Sequence, residues 1–144
     1  MSNIVKTFHS PEHRFLSNFW PCTVQVSGLA YRSSEAAYQA LKCTNPAERL
    51  KFTLMQPGEA KRAGKHIHRP DWADAKLDVM YRVVWAKFTQ NKDLKAKLLA
   101  TGRARLEEGN YWHDRFWGVS PVGSGDGLNH LGQILMRIRR ELKK

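Results

Sequence analysis

Residues 33–42 read Ser-Ser-Glu-Ala-Ala-Tyr-Gln-Ala-Leu-Lys, and at this stretch the chain changes from short strands to helices. A hydroxyl residue is a favoured N-cap, and Ala, Gln, Leu and Lys are good helix formers. We therefore predict a helix that begins at Ser34 and continues to the end of the stretch. Four side chains share one of its faces because they are spaced i, i+3, i+4 and i+7: Glu35, Tyr38, Gln39 and Lys42. Such a face either lies in solvent or turns inward to form a site, and the spacing leaves both interpretations open.

Before this stretch the sequence predicts short strands and turns. Residues 23–26 alternate apolar and polar as a half-buried strand does, and Ser27-Gly28 supplies a turn before residues 29–31. Two prolines, at positions 11 and 21, break any helix that starts earlier. The pattern favours a small antiparallel sheet near the N-terminus.

After the stretch, helices predominate. We predict a short helix that Pro46 opens and Gln56-Pro57-Gly58 closes, a long helix over Trp72–Gln90, a helix over residues 94–99 followed by Gly102 as C-cap, and a last helix over residues 128–142. Apolar residues at three- and four-residue steps mark the buried faces of the long and last helices. They are Leu77, Met80, Tyr81, Val84 and Phe88 in the former, and Leu131, Ile134, Leu135 and Ile138 in the latter. The predicted fold class is α+β, a mostly helical single domain over residues 1–144 with a small antiparallel sheet near the N-terminus.

The composition limits the kind of protein. The chain has 144 residues and carries 24 Lys+Arg against 13 Asp+Glu, a net charge of +11, which favours a polyanionic partner or a phosphorylated substrate. Its two cysteines exclude a disulfide framework and a zinc site built from cysteines. No apolar run reaches the roughly 18 residues of a membrane span, and the N-terminus lacks a signal-peptide core. We expect a soluble, cytoplasmic protein with no membrane partner, no metal and no cofactor; the sequence leaves its oligomeric state open.

A basic segment and an aromatic segment are further candidates for a site. Residues 59–72 carry closely spaced cations that either bind phosphate or form a solvated charged face. Further along, Asp114 lies beside Trp112 and Trp117, and indoles can stack on a base or desolvate a carboxylate; a core aromatic cluster is the alternative. The glycines that alternate over residues 123–127, before the last helix, either cradle an anion or form a flexible loop.

Five stretches in register resemble the YbiA-like family, also called NADAR. They are residues 15–21, residues 34–42, residues 60–64 with 71–72, residues 85–90, and residues 114–118 with 125–132. The resemblance runs from about Phe8 to Arg139, which is nearly the whole chain. Ser34 stands where the family usually has Thr, which keeps the hydroxyl cap, and Ala36 replaces a common His.

The resemblance implies an N-glycosidase, a hydrolase that cleaves the bond between a ribose C1′ and a nitrogen. The favoured reaction removes ADP-ribose from guanine, as a nucleoside or in nucleic acid. One alternative substrate class is the phosphorylated ribosylamino-pyrimidine intermediates of riboflavin synthesis. Another alternative is a module that binds ADP-ribose or nucleic acid without cleaving. The expected partner is therefore an ADP-ribosyl or phosphoribosyl small molecule, with nucleic acid as a candidate carrier of the modified base.

The resemblance also assigns roles to residues. It makes Lys42 the nucleophile of a Schiff-base route, Glu35 the group that moves protons, and Asp114 a second carboxylate. The expected substrate-binding residues lie in the matching stretches: Asn18, Phe19, Tyr38, Gln39, Lys61, Arg62, Trp72, Trp117, Gly118, Gly125 and Asn129.

The Schiff-base route sets two structural requirements. An amine with an ordinary pKa near 10.4 is almost wholly protonated at pH 7, so burial or neighbouring cations must lower the pKa of Lys42. The tips of Glu35 and Lys42 must also face one anomeric carbon, which excludes an arrangement with both in bulk solvent.

Overall fold

The computed structural model describes residues 3–144, which form two compact units. One unit is Asn18–Lys92, and the other combines the described residues up to Ser17 with Asp93–Lys144. The predicted α+β class is confirmed, because helices predominate and the one antiparallel sheet of the described residues lies near the N-terminus. The single-domain organisation stays a prediction.

The first unit begins with the predicted hairpin. Strands β2 (Val24–Val26) and β3 (Leu29–Tyr31) are antiparallel, with Val26 opposite Leu29. Ser27 and Gly28 have φ of 52° and 83°, the left-handed values that a tight two-residue hairpin turn requires at both central positions. The local turn signal was therefore sufficient to predict this pairing.

Helix α1 spans Ser34–Ala40, and the side chain of Ser33 accepts a hydrogen bond of 3.1 Å from the amide of Ala36. The predicted N-terminus is thus confirmed, but the predicted extension to Lys42 is wrong. The amide of Lys42 bonds the carbonyl of Gln39 in a tighter, three-residue turn, so Lys42 follows the helix instead of completing its second turn.

Three more helices complete this unit: α2 (Pro46–Leu50), α3 (Pro57–Gly64) and α4 (Trp72–Gln90). Pro46 opens α2 as predicted, with Asn45 as the capping residue, and a 3-10 helix follows over Lys51–Leu54. Pro57 follows this region and opens helix α3. A proline is favoured in the first turn of a helix, because the N–H that it lacks has no partner within the helix at that position. Helix α1 packs against both α3 and α4 and is the centre of the unit.

The long helix α4 has the predicted bounds, and its buried face includes Met80, Val84 and Phe88. The prediction that Leu77 is buried is wrong, since it is 40% exposed. Periodicity identifies the face of a helix that packs, but it does not say how far along the helix the packing partner extends. Burial includes one unexpected residue, Lys87, whose side chain is fully buried.

The second unit contains a parallel pair of strands that the sequence did not predict, β1 (Ile4–Val5) and β4 (Arg105–Leu106). Helix α5 (Lys92–Ala100) precedes Gly102, whose φ of 63° suits the predicted C-cap role. Helix α6 (His130–Leu142) buries the predicted stripe, which includes Leu131, Ile134, Leu135 and Ile138. It begins two residues later than predicted because Asn129 is left-handed, with φ of 53°, and cannot belong to the helix. In residues 3–144 no helix is long and apolar enough to cross a membrane.

Candidate active site

Glu35 lies in the first turn of α1 and is buried, with 8% of its surface exposed. Asn18 holds this end of the helix. Its carbonyl accepts from the amide of Glu35 at 3.1 Å, and its Oδ1 accepts from the Ser34 hydroxyl at 2.8 Å. Asn18 Nδ2 in turn contacts the sulfur of Met80 at 3.3 Å. Asn18 therefore fixes the position of the carboxylate through the backbone.

The environment of Glu35 favours its protonated form. Burial raises the pKa of this carboxyl above its usual range. A hydrogen bond of 2.6 Å from Gln39 Nε2 to Glu35 Oε2, together with the charges of Lys61 and Lys42, opposes the rise without cancelling it. A carboxyl with a raised pKa is suited to donate a proton near neutral pH.

Lys42 is half-buried, and its environment favours the neutral amine. Burial lowers its pKa, and the charge of Glu35 acts in the opposite direction. Its Nζ donates to the carbonyl of Gly64 at 3.3 Å and lies 5.6 Å from the centre of the Trp72 ring. The Glu35 carboxyl is buried, and each of the two groups affects the pKa of the other, so they lie within electrostatic reach.

Gly64, at the end of α3, allows α3 to approach α1 closely. A Cβ at this position would overlap the side chain of Gln39, so the contact requires glycine. The same residue presents its carbonyl to Lys42. Gln39 is held tightly here, and within residues 3–144 its buried Oε1 has no hydrogen-bond partner. Gly64 was not among the predicted site residues, although it belongs to a stretch that carries the family resemblance.

Aromatic rings surround the amine. The rings of Tyr38 and Trp72 are 5.1 Å apart and tilted by 60°, and Lys42 Nζ is 6.0 Å from the centre of the Tyr38 ring. Arg69 places its guanidinium 5.7 Å from the Trp72 ring centre. It is fixed there by bonds to the Asp71 carboxylate, at 2.6 and 3.1 Å, and to a backbone carbonyl at 2.8 Å. Arg69 lies in the basic segment of residues 59–72 but was not among the individually predicted substrate-binding residues. Its signal was the sequence Arg-Pro-Asp-Trp, which places a bidentate ion pair next to an indole.

The basic helix α3 adds further cations. Lys61 Nζ lies 5.9 Å from the centre of the Phe19 ring, which is 43% exposed, and Lys61 is one of the charges that lower the pKa of Glu35. Arg62 is exposed on the same helix. The predicted residues of the first unit therefore belong to neighbouring elements of one packed region.

Asp114 belongs to the second unit, in a loop that it stabilises itself. Its Oδ1 accepts from the amides of Phe116 at 3.1 Å and Trp117 at 2.9 Å. Asn110 bonds both the amide and the carbonyl of Asp114. The ring of Trp117 meets that of Phe116 edge to face at 4.8 Å. One carboxylate oxygen of Asp114 is thus engaged in loop structure, and its catalytic role stays a prediction.

Gly118 and Asn129 lie where backbone segments meet. A Cβ at Gly118 would overlap Glu108. Asn129 is fully buried, and its side chain bonds the amide of Glu108 at 3.0 Å and the carbonyl of Leu106 at 2.9 Å. Both Gly118 and Asn129 therefore stabilise the local fold. Gly125, with φ of 74°, has no atom close to the place that a Cβ would occupy.

At the start of α6, four consecutive amides are already bonded to carbonyls of the preceding loop. The amides of residues 128–131 donate to the carbonyls of Arg115, Gly118, Phe116 and Trp117 at 2.8–3.2 Å. Donors that are already bonded to the chain cannot also bind a phosphate without breaking those bonds. Within residues 3–144 there is also no group of three or more His, Cys, Asp or Glu side chains that could hold a metal ion.

Comparison with known proteins identifies the family. The NADAR domain matches residues 7–143. The N-glycosidase YbiA of Escherichia coli K12 is 33% identical over 99% of this chain and 91% of that protein. The Vibrio vulnificus protein named riboflavin biosynthesis protein VVA0006 is 40% identical over 99% of this chain, which spans only 41% of that longer protein. The NMR structure of E. coli YbiA superposes with a TM-score of 0.84 at 33% identity, covering 99% of this chain and 87% of that one. The chain belongs to the NADAR family, which confirms the resemblance and the fold.

Proposed function

We propose that this NADAR-family chain is a hydrolase of N-glycosyl bonds that uses Glu35 and Lys42 to cleave the bond between a ribose C1′ and a heterocycle nitrogen. One observation carries the proposal. A buried carboxyl with a raised pKa and a half-buried amine with a lowered pKa lie within electrostatic reach of each other. Opposite shifts of this kind are the arrangement that acid and nucleophile roles need at neutral pH.

The reaction follows from the two groups. Protonated Glu35 gives its proton to the departing nitrogen as the C1′–N bond breaks, and the heterocycle leaves neutral. The neutral amine of Lys42 bonds C1′ and loses a proton to the Glu35 carboxylate. The C1′–O4′ bond then breaks as Glu35 gives this proton to O4′, and C1′ and the Lys42 nitrogen form a Schiff base. Water then adds to C1′ and releases the sugar, which returns the free amine. The net reaction consumes one water and transfers no electrons.

ADP-ribose attached to guanine is the favoured substrate. Its rings can stack against the Tyr38 and Trp72 pair, and its diphosphate suits the guanidinium of Arg69 and the ammonium of Lys61. The net charge of +11 also favours a substrate carried by nucleic acid over a small free metabolite. Asp114 is proposed to orient the ribose or to assist proton transfer through its remaining oxygen.

The second candidate is cleavage of a phosphorylated ribosylamino-pyrimidine. The name of the V. vulnificus relative favours it, because that protein is described by riboflavin biosynthesis and is 40% identical to this chain. Glu35 and Lys42 would catalyse this reaction in the same roles. The substrate carries a single phosphate, so its binding would need fewer cations than the chain has.

The test compares the two substrates directly. The purified protein is incubated with ADP-ribosylated guanosine and, separately, with ribosylamino-pyrimidine phosphate, and the free base is measured by chromatography. We expect free guanine, and borohydride added during turnover should attach the sugar to Lys42. Lys42→Met should abolish both results, whereas Lys51→Met, which removes a lysine that is 65% exposed, should change neither. Binding of ADP-ribose without release of any base would indicate a binding module, and full activity of Lys42→Met would disprove the Schiff-base route.

A further inference from the structure

The end of helix α6 is tied to the loop that follows α5, within the second unit. Arg139 is buried, with 6% of its surface exposed, and its guanidinium donates to Thr101 Oγ1 and to the Ala104 carbonyl, each at 2.8 Å. Because one guanidinium bonds both ends of this short loop, the loop lies directly against the last turn of α6. Charges carried by these two elements therefore belong to one part of the second unit.

Three cations are exposed on these two elements. Arg103 lies within the loop, Arg140 directly follows Arg139, and Lys143 is the C-cap of α6. Burial and the nearby charge of Arg140 both lower the pKa of Arg139, so positive charge is concentrated here. The helix dipole favours cations at the end of α6, but it does not account for Arg103, which lies outside the helix. We call Arg103, Arg140 and Lys143 the basic surface.

The neighbouring carboxylates do not neutralise the basic surface. In α6 and in the segment from Thr101 to Glu107, the acidic residues are Glu107 and Glu141. Glu107 Oε2 is paired with Arg105 at 2.7 Å, and Glu141 Oε2 is paired with Arg137 at 3.7 Å. Each carboxylate thus has a cation of its own, and among the described residues no ion pair involves the basic surface.

The basic surface offers charge without apolar or aromatic groups. The apolar stripe of α6 is buried, and residues 101–107 and 130–144 contain no Phe, Tyr or Trp. A helix that lies in a membrane interface needs an exposed apolar face, and the centre of a protein interface is rich in apolar and aromatic side chains. Single-stranded nucleic acid is bound through rings that stack on its bases. None of these three partners fits a surface that carries only cations.

The exposed rings of the second unit lie in a different loop. Tyr111 is 71% exposed and Trp112 is 52% exposed, in the segment before α6. The alternative that Trp112 belongs to a core aromatic cluster is therefore wrong.

We infer that the basic surface binds the phosphate backbone of a nucleic-acid duplex. A duplex carries one negative charge per about 1.7 Å of its axis, and exposed cations alone bind it by releasing its counterions. Contacts of this kind position a protein on the duplex without reading its sequence. The inference goes beyond the proposed function, because it concerns the second unit and does not depend on the chemistry of Glu35 and Lys42.

The test measures how binding to duplex DNA depends on salt. Fluorescence anisotropy follows an end-labelled duplex of about 20 base pairs at several salt concentrations. The triple variant Arg103→Gln, Arg140→Gln, Lys143→Gln should bind at least about tenfold more weakly at low salt. Its slope of log K against log salt should be less negative by about 2 to 3, because each phosphate contact contributes about 0.9.

A matched control removes the same amount of charge from the other unit. The triple variant Arg32→Gln, Lys51→Gln, Lys92→Gln replaces three cations that are also exposed. It should keep the salt slope of the wild type. Equal changes of slope in the two triple variants would overturn the inference, because binding would then follow the net charge and not the basic surface.

Two further measurements test the choice of partner. The wild type should bind the duplex more tightly than single-stranded oligothymidylate of the same length, and the reverse order would overturn the inference. Binding to phosphatidylserine vesicles is measured for the wild type and the basic-surface variant. If the variant lost this binding and kept its affinity for the duplex, the surface would be a membrane site and the inference would be wrong.

The outcomes separate the inference from the proposed function. Cleavage of ADP-ribosylated guanosine should be the same in the wild type and in the basic-surface variant, since none of the three residues belongs to the candidate active site. If the wild type cleaved no substrate while the variant lost its affinity for the duplex, the proposed function would be wrong and the inference would stand.

Discussion

Replacing Gln39 with methionine should raise the pKa of Glu35. Gln39 Nε2 donates a 2.6 Å hydrogen bond to Glu35 Oε2, and this bond stabilises the ionised carboxylate inside a buried site. Methionine has nearly the same length and flexibility but no donor, so the substitution removes the bond with little change in packing. It also removes the buried Oε1 of Gln39, which has no partner within residues 3–144 and contributes nothing to stability.

The size of the effect follows from the type of bond. A hydrogen bond to a charged group contributes about 1.5–3 kcal/mol, and about 1.36 kcal/mol corresponds to one pH unit. The midpoint for titration of Glu35 should therefore move up by about 1 to 2 pH units in Gln39→Met. The cations Lys61 and Lys42 remain and limit the change.

Carbon-detected NMR of the side-chain carboxyls can measure this without any substrate. The chemical shift of the Glu35 carboxyl is followed against pH in the wild type and in Gln39→Met. Asp71 is the internal control, since its pKa is held below the usual range by Arg69 and should not change. An unchanged or lower midpoint for Glu35 would refute the argument, because it would mean that the 2.6 Å bond does not stabilise the charged form.

Three further predictions concern stability. Gly64→Ala should lower the free energy of unfolding in urea by about 1–3 kcal/mol, because the new methyl group overlaps Gln39. The control Gly58→Ala should not lower it, since its Cβ would have its nearest contact at an ordinary 3.5 Å. Equal losses of stability in the two variants would contradict the close contact at Gly64. Burial lowers the pKa of Lys87 from 10.5 to about 8, so between these pH values the folded state binds fewer protons than the unfolded state. The free energy of unfolding should therefore rise by about 3 kcal/mol as the pH increases from 8 to 10.5. Lys87→Met should remove this contribution, and equal pH dependence in both proteins would count against it. Asp114→Ala should lower the free energy of unfolding by about 1–3 kcal/mol, because two loop amides lose their acceptor. Asp114→Asn keeps an oxygen at this place and should lower it less. Thermal unfolding of both variants measures the difference, and equal losses would contradict the role of this oxygen.

Local signals were enough to predict several elements. Ser27-Gly28 predicted the hairpin because a two-residue turn with left-handed backbone leaves few alternatives to antiparallel pairing. The stripe of α6 and the bounds of α4 followed from helical periodicity. The family motifs directed attention to Glu35 and Lys42, but they said nothing about the environment of either group.

Neighbouring positions and ordered motifs were enough to predict the fold class and the family, and they made Glu35 and Lys42 the candidates for the catalytic residues. Three features became visible only in the folded chain: Glu35 is buried, Gly64 lies in close contact with Gln39, and Trp112 is exposed. A fourth is that Ile4 pairs with Arg105, 101 positions further along the chain. The physical reason is common to all four: desolvation, close approach and strand pairing depend on atoms contributed by distant segments, and no local spacing specifies which segments those are.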